Sequence, residues 1–217
     1  IVDWSGSMDV EIFAVMAALN QFAANYSDEE VLQWGMVIGP IESVMGPYLE
    51  YLKIHHNLSG FTDFLAAMSQ LNLSSYAMTG AREMLYDALY LALHNLVGAT
   101  SLPIQIADLT WNTFKGVSES NPPMKQFVIN WRKDANVERV IILFTDETPQ
   151  TYLTPEIEQD TLLTVLSKTT NTKIYVFSKE WHKENATYHD GWEPLCTASG
   201  GKWYELSSDT LVVYNSL

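Results

Sequence analysis

The sequence predicts an α/β fold built on a mostly parallel sheet covered by helices on both faces. Three observations carry that expectation: strand-like and helix-like segments alternate along the chain, one apolar run of strand length is unbroken, and polar clusters follow strand ends. At 217 residues, with 47% hydrophobic and 18% charged residues, the chain can bury a sizeable core as one globular unit.

Ile1-Val2 reads as the stub of a first strand. Asp9 to Tyr26 follows as a helix, because Ile12, Val15, Met16, Leu19, Phe22 and Ala23 recur at spacings of three and four. Val31 to Ile38 is a second strand, ended by Gly39-Pro40, and Tyr48 to Ile54 a third. Phe61 to Leu71 and Thr79 to Leu96 are amphipathic helices, the longer one with Met84, Leu85, Ala88, Leu89, Ala92 and Leu93 on its apolar face.

Gly98 to Glu138 is irregular, containing Pro103, Pro122-Pro123, Trp111, Phe114 and Trp131. A stretch this long without regular structure reads as an insertion, either a specificity element or a structural wrap. Arg139 to Phe144 is the unbroken apolar run, as expected of a strand buried on both faces. Pro155 to Lys168 is a helix capped by Thr154, Lys173 to Ser178 a strand, Trp192 to Ser199 a short helix ended by Gly200-Gly201, and Lys202 to Leu206 a last strand. Ser207 to Leu217, with its valines and tyrosine, is expected to make a poor helix.

Charge excludes one class of partner. Twelve Lys and Arg stand against 26 Asp and Glu, a net charge of −14, whereas nucleic-acid binding rests on clustered cations. Cys196 is the single cysteine and cannot form an internal disulfide. No apolar run approaches the ~20 residues that cross a bilayer. The start at Ile1-Val2-Asp3 has neither an initiator Met nor a signal-peptide core, so the chain reads as a piece of a larger protein cut within its first strand. Sequons at Asn25, Asn57, Asn72 and Asn185 favour an extracellular glycoprotein, although chance supplies roughly two in a chain like this.

Ligands of open α/β sheets bind beyond the carboxyl ends of the strands, where the winding reverses. The first strand is followed by Asp3-Trp4-Ser5-Gly6-Ser7, and the Arg139 strand by Thr145-Asp146-Glu147. Asp3, Ser5 and Ser7 can converge in a tight loop, and Thr79 could add an oxygen from a neighbouring one. Such a set suits a hard cation with oxygen ligands, and the lack of His or Cys disfavours zinc. An Asp-x-Ser-x-Ser string alone arises by chance in about one chain in fifteen, but the order of the surrounding elements sharpens it.

On these residues the chain resembles the von Willebrand factor A domain family, which includes the integrin I domains. The match also rests on Thr79-Gly80-Ala81-Arg82-Glu83-Met84-Leu85, similar to the family's Thr-x-Thr-Gly-x-Ala-Leu but with Ala81 for the second Thr, and on the closing Ala198-Ser199-Gly200-Gly201-Lys202-Trp203-Tyr204. The resemblance implies a doubly wound, Rossmann-like sheet with one antiparallel edge strand, which would be Tyr48 to Ile54.

It also implies a metal-ion-dependent adhesion site held by Asp3, Ser5, Ser7, Thr79 and Asp146. The ion would be Mg2+, with Mn2+ or Ca2+ as substitutes, and a partner protein's Asp or Glu would complete its shell. The expected function is therefore non-enzymatic adhesion or ligand binding at a cell surface. The alternative is an intracellular domain of this family serving an AAA+ ATPase in metal insertion or complex remodelling. Hydrolysis is disfavoured because no His shares the loops of Ser5 and Ser7 and Gly-x-Ser-x-Gly is absent.

Some positions depart from the family or admit two readings. Trp4 either packs away from the ion or forms a partner-binding rim. Glu147, where the family commonly has Gly, either caps the following turn or adds a carboxylate to that rim. Asp9 or Glu11 would serve a second ion, as in some integrin relatives, or act as ordinary partners of a helix dipole. His182 with His189, and His55-His56, read as solvated or structural before they read as ligands.

Overall fold

The computed structural model describes residues 1–26, 32–42, 50–71, 85–98, 110–111, 128–132, 134–149, 151, 153–154, 159–183 and 191–217. Its strands are β1 Val2–Asp3, β2 Trp34–Glu42, β3 Glu50–Ser59, β4 Thr110–Trp111, β5 Arg139–Phe144, β6 Leu153–Thr154, β7 Thr172–Ser178 and β8 Trp203–Glu205. Its α-helices are α1 Glu11–Ala24, α2 Phe61–Ser69, α3 Leu85–Gly98, α4 Gln159–Leu166, α5 Glu193–Ser199 and α6 Thr210–Ser216.

Six strands form one sheet in the order β3-β2-β1-β5-β7-β8, parallel throughout except for the antiparallel pair β2 and β3. The antiparallel member, β3, is the edge. From β1 the chain winds outward through β2 to β3, then returns to lay β5 against the other side of β1 and proceeds to β7 and β8. The winding therefore reverses between β1 and β5, where a doubly wound sheet opens its ligand crevice.

Period-two alternation divides each central strand between two cores. Ile141, Leu143, Ile174 and Val176 pack with Leu85, Leu89, Leu162, Val165, Trp192 and Leu195 of the α3, α4 and α5 side. Phe144 and Phe177 face the opposite way, with Ile12, Val15, Phe64 and Val213 of α1, α2 and α6. Phe144, Phe177 and Tyr204 stack across three neighbouring strands at 4.8 and 4.9 Å between ring centroids. The apolar run of β5 is not buried throughout, since Val140 near its start is 43% exposed.

Several boundaries differ from the sequence reading. β2 runs through Gly39-Pro40 to Glu42, with a register shift between Ile38 and Ile41. The pairing of β1 with β2 ends at Asp3 and Gly39, so beyond that point β2 has lost its neighbour on one side, an edge position where the missing N–H of Pro40 costs little. Thr154 pairs with Thr110 in a small antiparallel ribbon, α4 is described from Gln159, and the expected helix start at Pro155 lies outside the described residues. That ribbon also ties the 98–138 insertion to the segment that leaves β5. The returning part of the insertion wraps the core: Trp131 Nε1 donates to the Ala92 carbonyl at 3.2 Å, and the Ile129 N–H to Asn95 Oδ1 at 2.9 Å.

The C-terminal segment corrects the expectation of a poor helix. Thr210–Ser216 is helical because Asp209 caps it, Oδ1 accepting the Leu211 N–H at 2.8 Å, and because α1 covers one face, leaving Val213 1% exposed. Asn25 Nδ2 at the end of α1 donates to the Tyr214 hydroxyl at 2.7 Å. Tertiary packing here outweighs the β-propensity of the two valines. Asp209→Ala is expected to lower stability by about 1 kcal/mol in denaturant unfolding.

Candidate functional site

β1 is two residues long, so the backbone leaves the sheet immediately after Asp3, and Trp4 closes the exit by donating its N–H to the Gly39 carbonyl at 2.9 Å. Alternation then sends the two classes of side chain apart. Trp4 turns inward, 4% exposed, and packs in the α1-side core; it is a core residue and forms no rim. Asp3 and Ser5 are buried at the strand end, and Gly6–Met8 makes one 3-10 turn that brings Ser7 back above them.

The strand β5 ends beside them. Thr145 Oγ1 donates to Asp3 Oδ2 at 2.7 Å and accepts the Glu147 N–H at 2.9 Å, while the Ser5 N–H donates to Asp3 Oδ1 at 2.9 Å. Ser7 Oγ donates to Asp146 Oδ1 at 3.0 Å. The Ser5 and Ser7 hydroxyl oxygens are in hydrogen-bond contact at 2.9 Å. Asp3, Ser5, Ser7 and Asp146 thus meet in one place although Ser7 and Asp146 lie 139 residues apart. Thr79 lies outside the described residues.

The set fits a hard divalent cation on two counts. Every functional atom is oxygen, as a hard cation requires, although among the described residues no group of three or more His, Cys, Asp or Glu assembles here or elsewhere, so the hydroxyls must supply part of the shell. The spacing also fits. Oxygens on adjacent corners of an octahedron with Mg–O of 2.0 to 2.1 Å lie about 2.9 Å apart. The Ser5–Ser7 and Ser7–Asp146 separations of 2.9 and 3.0 Å are ordinary hydrogen-bond lengths that are also compatible with that edge.

Electrostatics point the same way. Burial pushes the Asp3 carboxyl up to about 7, against hydrogen bonds from Thr145 and Ser5 that draw it down, and the Asp146 charge adds to the rise. Asp146 is also raised, chiefly by burial; the Ser7 hydroxyl and Lys179 oppose this and Glu11 reinforces it. Two carboxylates that resist ionisation side by side are stabilised together by a cation placed between them.

The sequence reading did not foresee how the site is braced. Thr145 holds Asp3, Trp192 Nε1 donates to the Glu147 carbonyl at 2.9 Å, and the buried Thr151 hydroxyl donates to the buried Asp87 carboxylate at the start of α3. Glu147 is a half-buried turn residue whose backbone is held at both ends, by Thr145 and by Trp192. Its carboxyl is raised by burial and by Asp146, and lowered by the Thr148 N–H. A hydroxyl placed directly before a strand-end Asp is the only local signal that could have marked Thr145.

Other candidates have structural roles. His55 Nε2 bonds the Ala67 carbonyl at 2.8 Å and His56 Nε2 the Ser59 hydroxyl at 2.7 Å. The His182 side chain and His189 lie outside the described residues. Of the sequons, Asn25 bonds Tyr214, and Asn57 donates to the Val128 carbonyl while accepting the Leu58 and Asn130 N–H groups. Asn72 and Asn185 are not described. Among the described residues no helix is long and apolar enough to cross a membrane.

No known protein family model matches the chain, and no curated protein matches it.

Proposed function

We propose that this chain is a von Willebrand factor A-type domain that binds a partner protein through a divalent cation. Asp3, Ser5, Ser7 and Asp146 hold the ion, with Thr79 as the fifth contributor, and the partner supplies an Asp or Glu carboxylate. The supporting observation is the convergence of Ser5, Ser7 and Asp146 through side-chain hydrogen bonds, beside a buried Asp3, at the point where the sheet reverses its winding.

Magnesium takes six oxygens and seldom receives all of them from one chain, which leaves a position for water or an incoming carboxylate. The ion reverses the local sign of charge. A domain of net charge −14 would repel an acidic ligand, whereas the bound cation attracts one at short range. No nucleophile and base are needed for this reading, because the ion binds and does not activate.

Calorimetric titration with Mg2+ and with Mn2+ tests it. Saturable one-to-one binding is expected in the wild type, abolished by a chelator and by Asp146→Ala; equal binding in that variant would refute the assignment. The pH profile is a second test. An ion needs Asp3 ionised, so affinity should be constant above about pH 7 and fall about tenfold per unit below it, more steeply where Asp146 also takes up its proton. A flat profile between pH 5 and 8 would show that Asp3 does not participate.

A further inference from the structure

The conformation between the first loop and α1 places a second carboxylate next to the proposed ion. Gly6–Met8 is a 3-10 turn, Asp9 (φ −54°, ψ −33°) and Val10 (φ −86°, ψ −43°) stay in the right-handed helical region, and α1 starts at Glu11. Ser7 and Glu11 are thus four residues apart on a nearly continuous helical path, which stacks their side chains on one side.

Glu11 is not free. Its carboxylate is bonded by the Lys179 ammonium in a largely enclosed ion pair, with side-chain exposures of 12% for Glu11 and 22% for Lys179. Lys179 directly follows β7, whose last turn of ladder receives the Thr145 N–H at the Phe177 carbonyl, 3.0 Å away. The ammonium therefore stands beside the Asp146 loop.

We propose that Lys179 is a positioning residue that holds the Glu11 carboxylate off the ion and so keeps the ion's open position for the partner. This rests on the metal-site reading above. Glu11 is a hard oxygen donor of the kind the ion accepts, and it is tethered to the chain beside Ser7. A tethered carboxylate competes at a high effective concentration with one arriving from solution. Stripped of Lys179, Glu11 would lose the ion pair that holds its largely enclosed carboxylate, and the bound ion is a cation that could satisfy it instead. Charges on both members already reach the site, since after burial and the Ser7 hydroxyl they are the next outside influences on Asp146, Glu11 raising it and Lys179 lowering it.

Mn2+ is the probe, because the water-proton relaxation of the bound ion counts its exchangeable waters. Wild type and Glu11→Gln are expected to give the same count. Lys179→Met should lose one water per bound Mn2+, and the double variant Glu11→Gln/Lys179→Met should recover it. Lys179→Gln, which retains the stem and a polar end, provides the same comparison if Lys179→Met does not fold. Equal counts in the wild type and a folded Lys179 variant overturn the inference while leaving the metal site standing. Absence of Mn2+ binding in the wild type overturns the metal site and this inference with it.

Discussion

Asp3→Asn is expected to abolish divalent-cation binding, with a loss of about 100-fold or more in affinity, while making the ion-free protein more resistant to unfolding at neutral and alkaline pH. The two effects have one cause. Asp3 is fully buried and its carboxyl is pushed up to about 7, so the folded, ion-free protein holds this proton more tightly than the unfolded chain does, where the ordinary value is 3.8. A group raised in this way contributes stability that is full below the unfolded value and is lost as pH rises through the folded one. Above about pH 7 the wild type carries a buried carboxylate that, among the described residues, only hydrogen bonds compensate.

Asparagine has nothing to ionise, and its amide oxygen can still accept the Ser5 N–H now received by Oδ1 at 2.9 Å. The difference in melting temperature between Asp3→Asn and wild type, both in chelator, should therefore grow from pH 5 to pH 8. With millimolar Mg2+ the order should reverse, because only the wild type gains stability from a bound ion. A melting-temperature difference independent of pH in chelator would mean that burial does not raise Asp3.

Gly201→Ala is expected to be more destabilising than the same change at Gly35, Gly60 or Gly200. A Cβ at this position would lie 1.9 Å from the Ile174 carbonyl oxygen and 2.7 Å from its carbon. That backbone cannot move aside: Ile174 is fully buried in β7, pairs with Ile141 of β5, and donates its N–H to the Ser199 hydroxyl at 2.9 Å. The cost should exceed the usual range for overpacking, about 3 kcal/mol or more, which lowers the melting temperature by roughly 6 to 12 °C in a domain this size.

Gly200 is the internal control. It ends α5 in the left-handed region at φ 75°, and a Cβ there meets nothing within 4 Å, so Gly200→Ala should cost only the conformational penalty of about 1 to 2 kcal/mol. Denaturant unfolding of both variants checks the ranking. A Gly200→Ala cost equal to that of Gly201→Ala would show that the α5–β8 turn repacks around the added methyl.

The alternation of strands and helices was legible because both periods are local. Ile12, Val15, Met16 and Leu19 mark α1 without reference to the rest of the chain, and Arg139–Phe144 coincides with β5. The same local logic put Asp3, Ser5, Ser7 and Asp146 at strand ends, since polar residues that end an apolar run leave the sheet where it stops. Thr79, read from its Thr-Gly helix start, falls outside the described residues. Trp4 was ambiguous for a physical reason: at a strand end, one residue of rotation exchanges a core position for an exposed one.

By itself, then, the sequence determined the order of elements, the sheet they form and which carboxylates and hydroxyls stand at its C-terminal end. Only the tertiary structure decided that Thr145 serves Asp3 across 142 residues, that Lys179 takes Glu11 across 168, and that α1 makes a helix of the valine-rich C-terminus. Periodicity reports which side of an element is apolar. It carries no information about which distant polar group will lie opposite, because that is set by the stacking of whole helices on a twisted sheet.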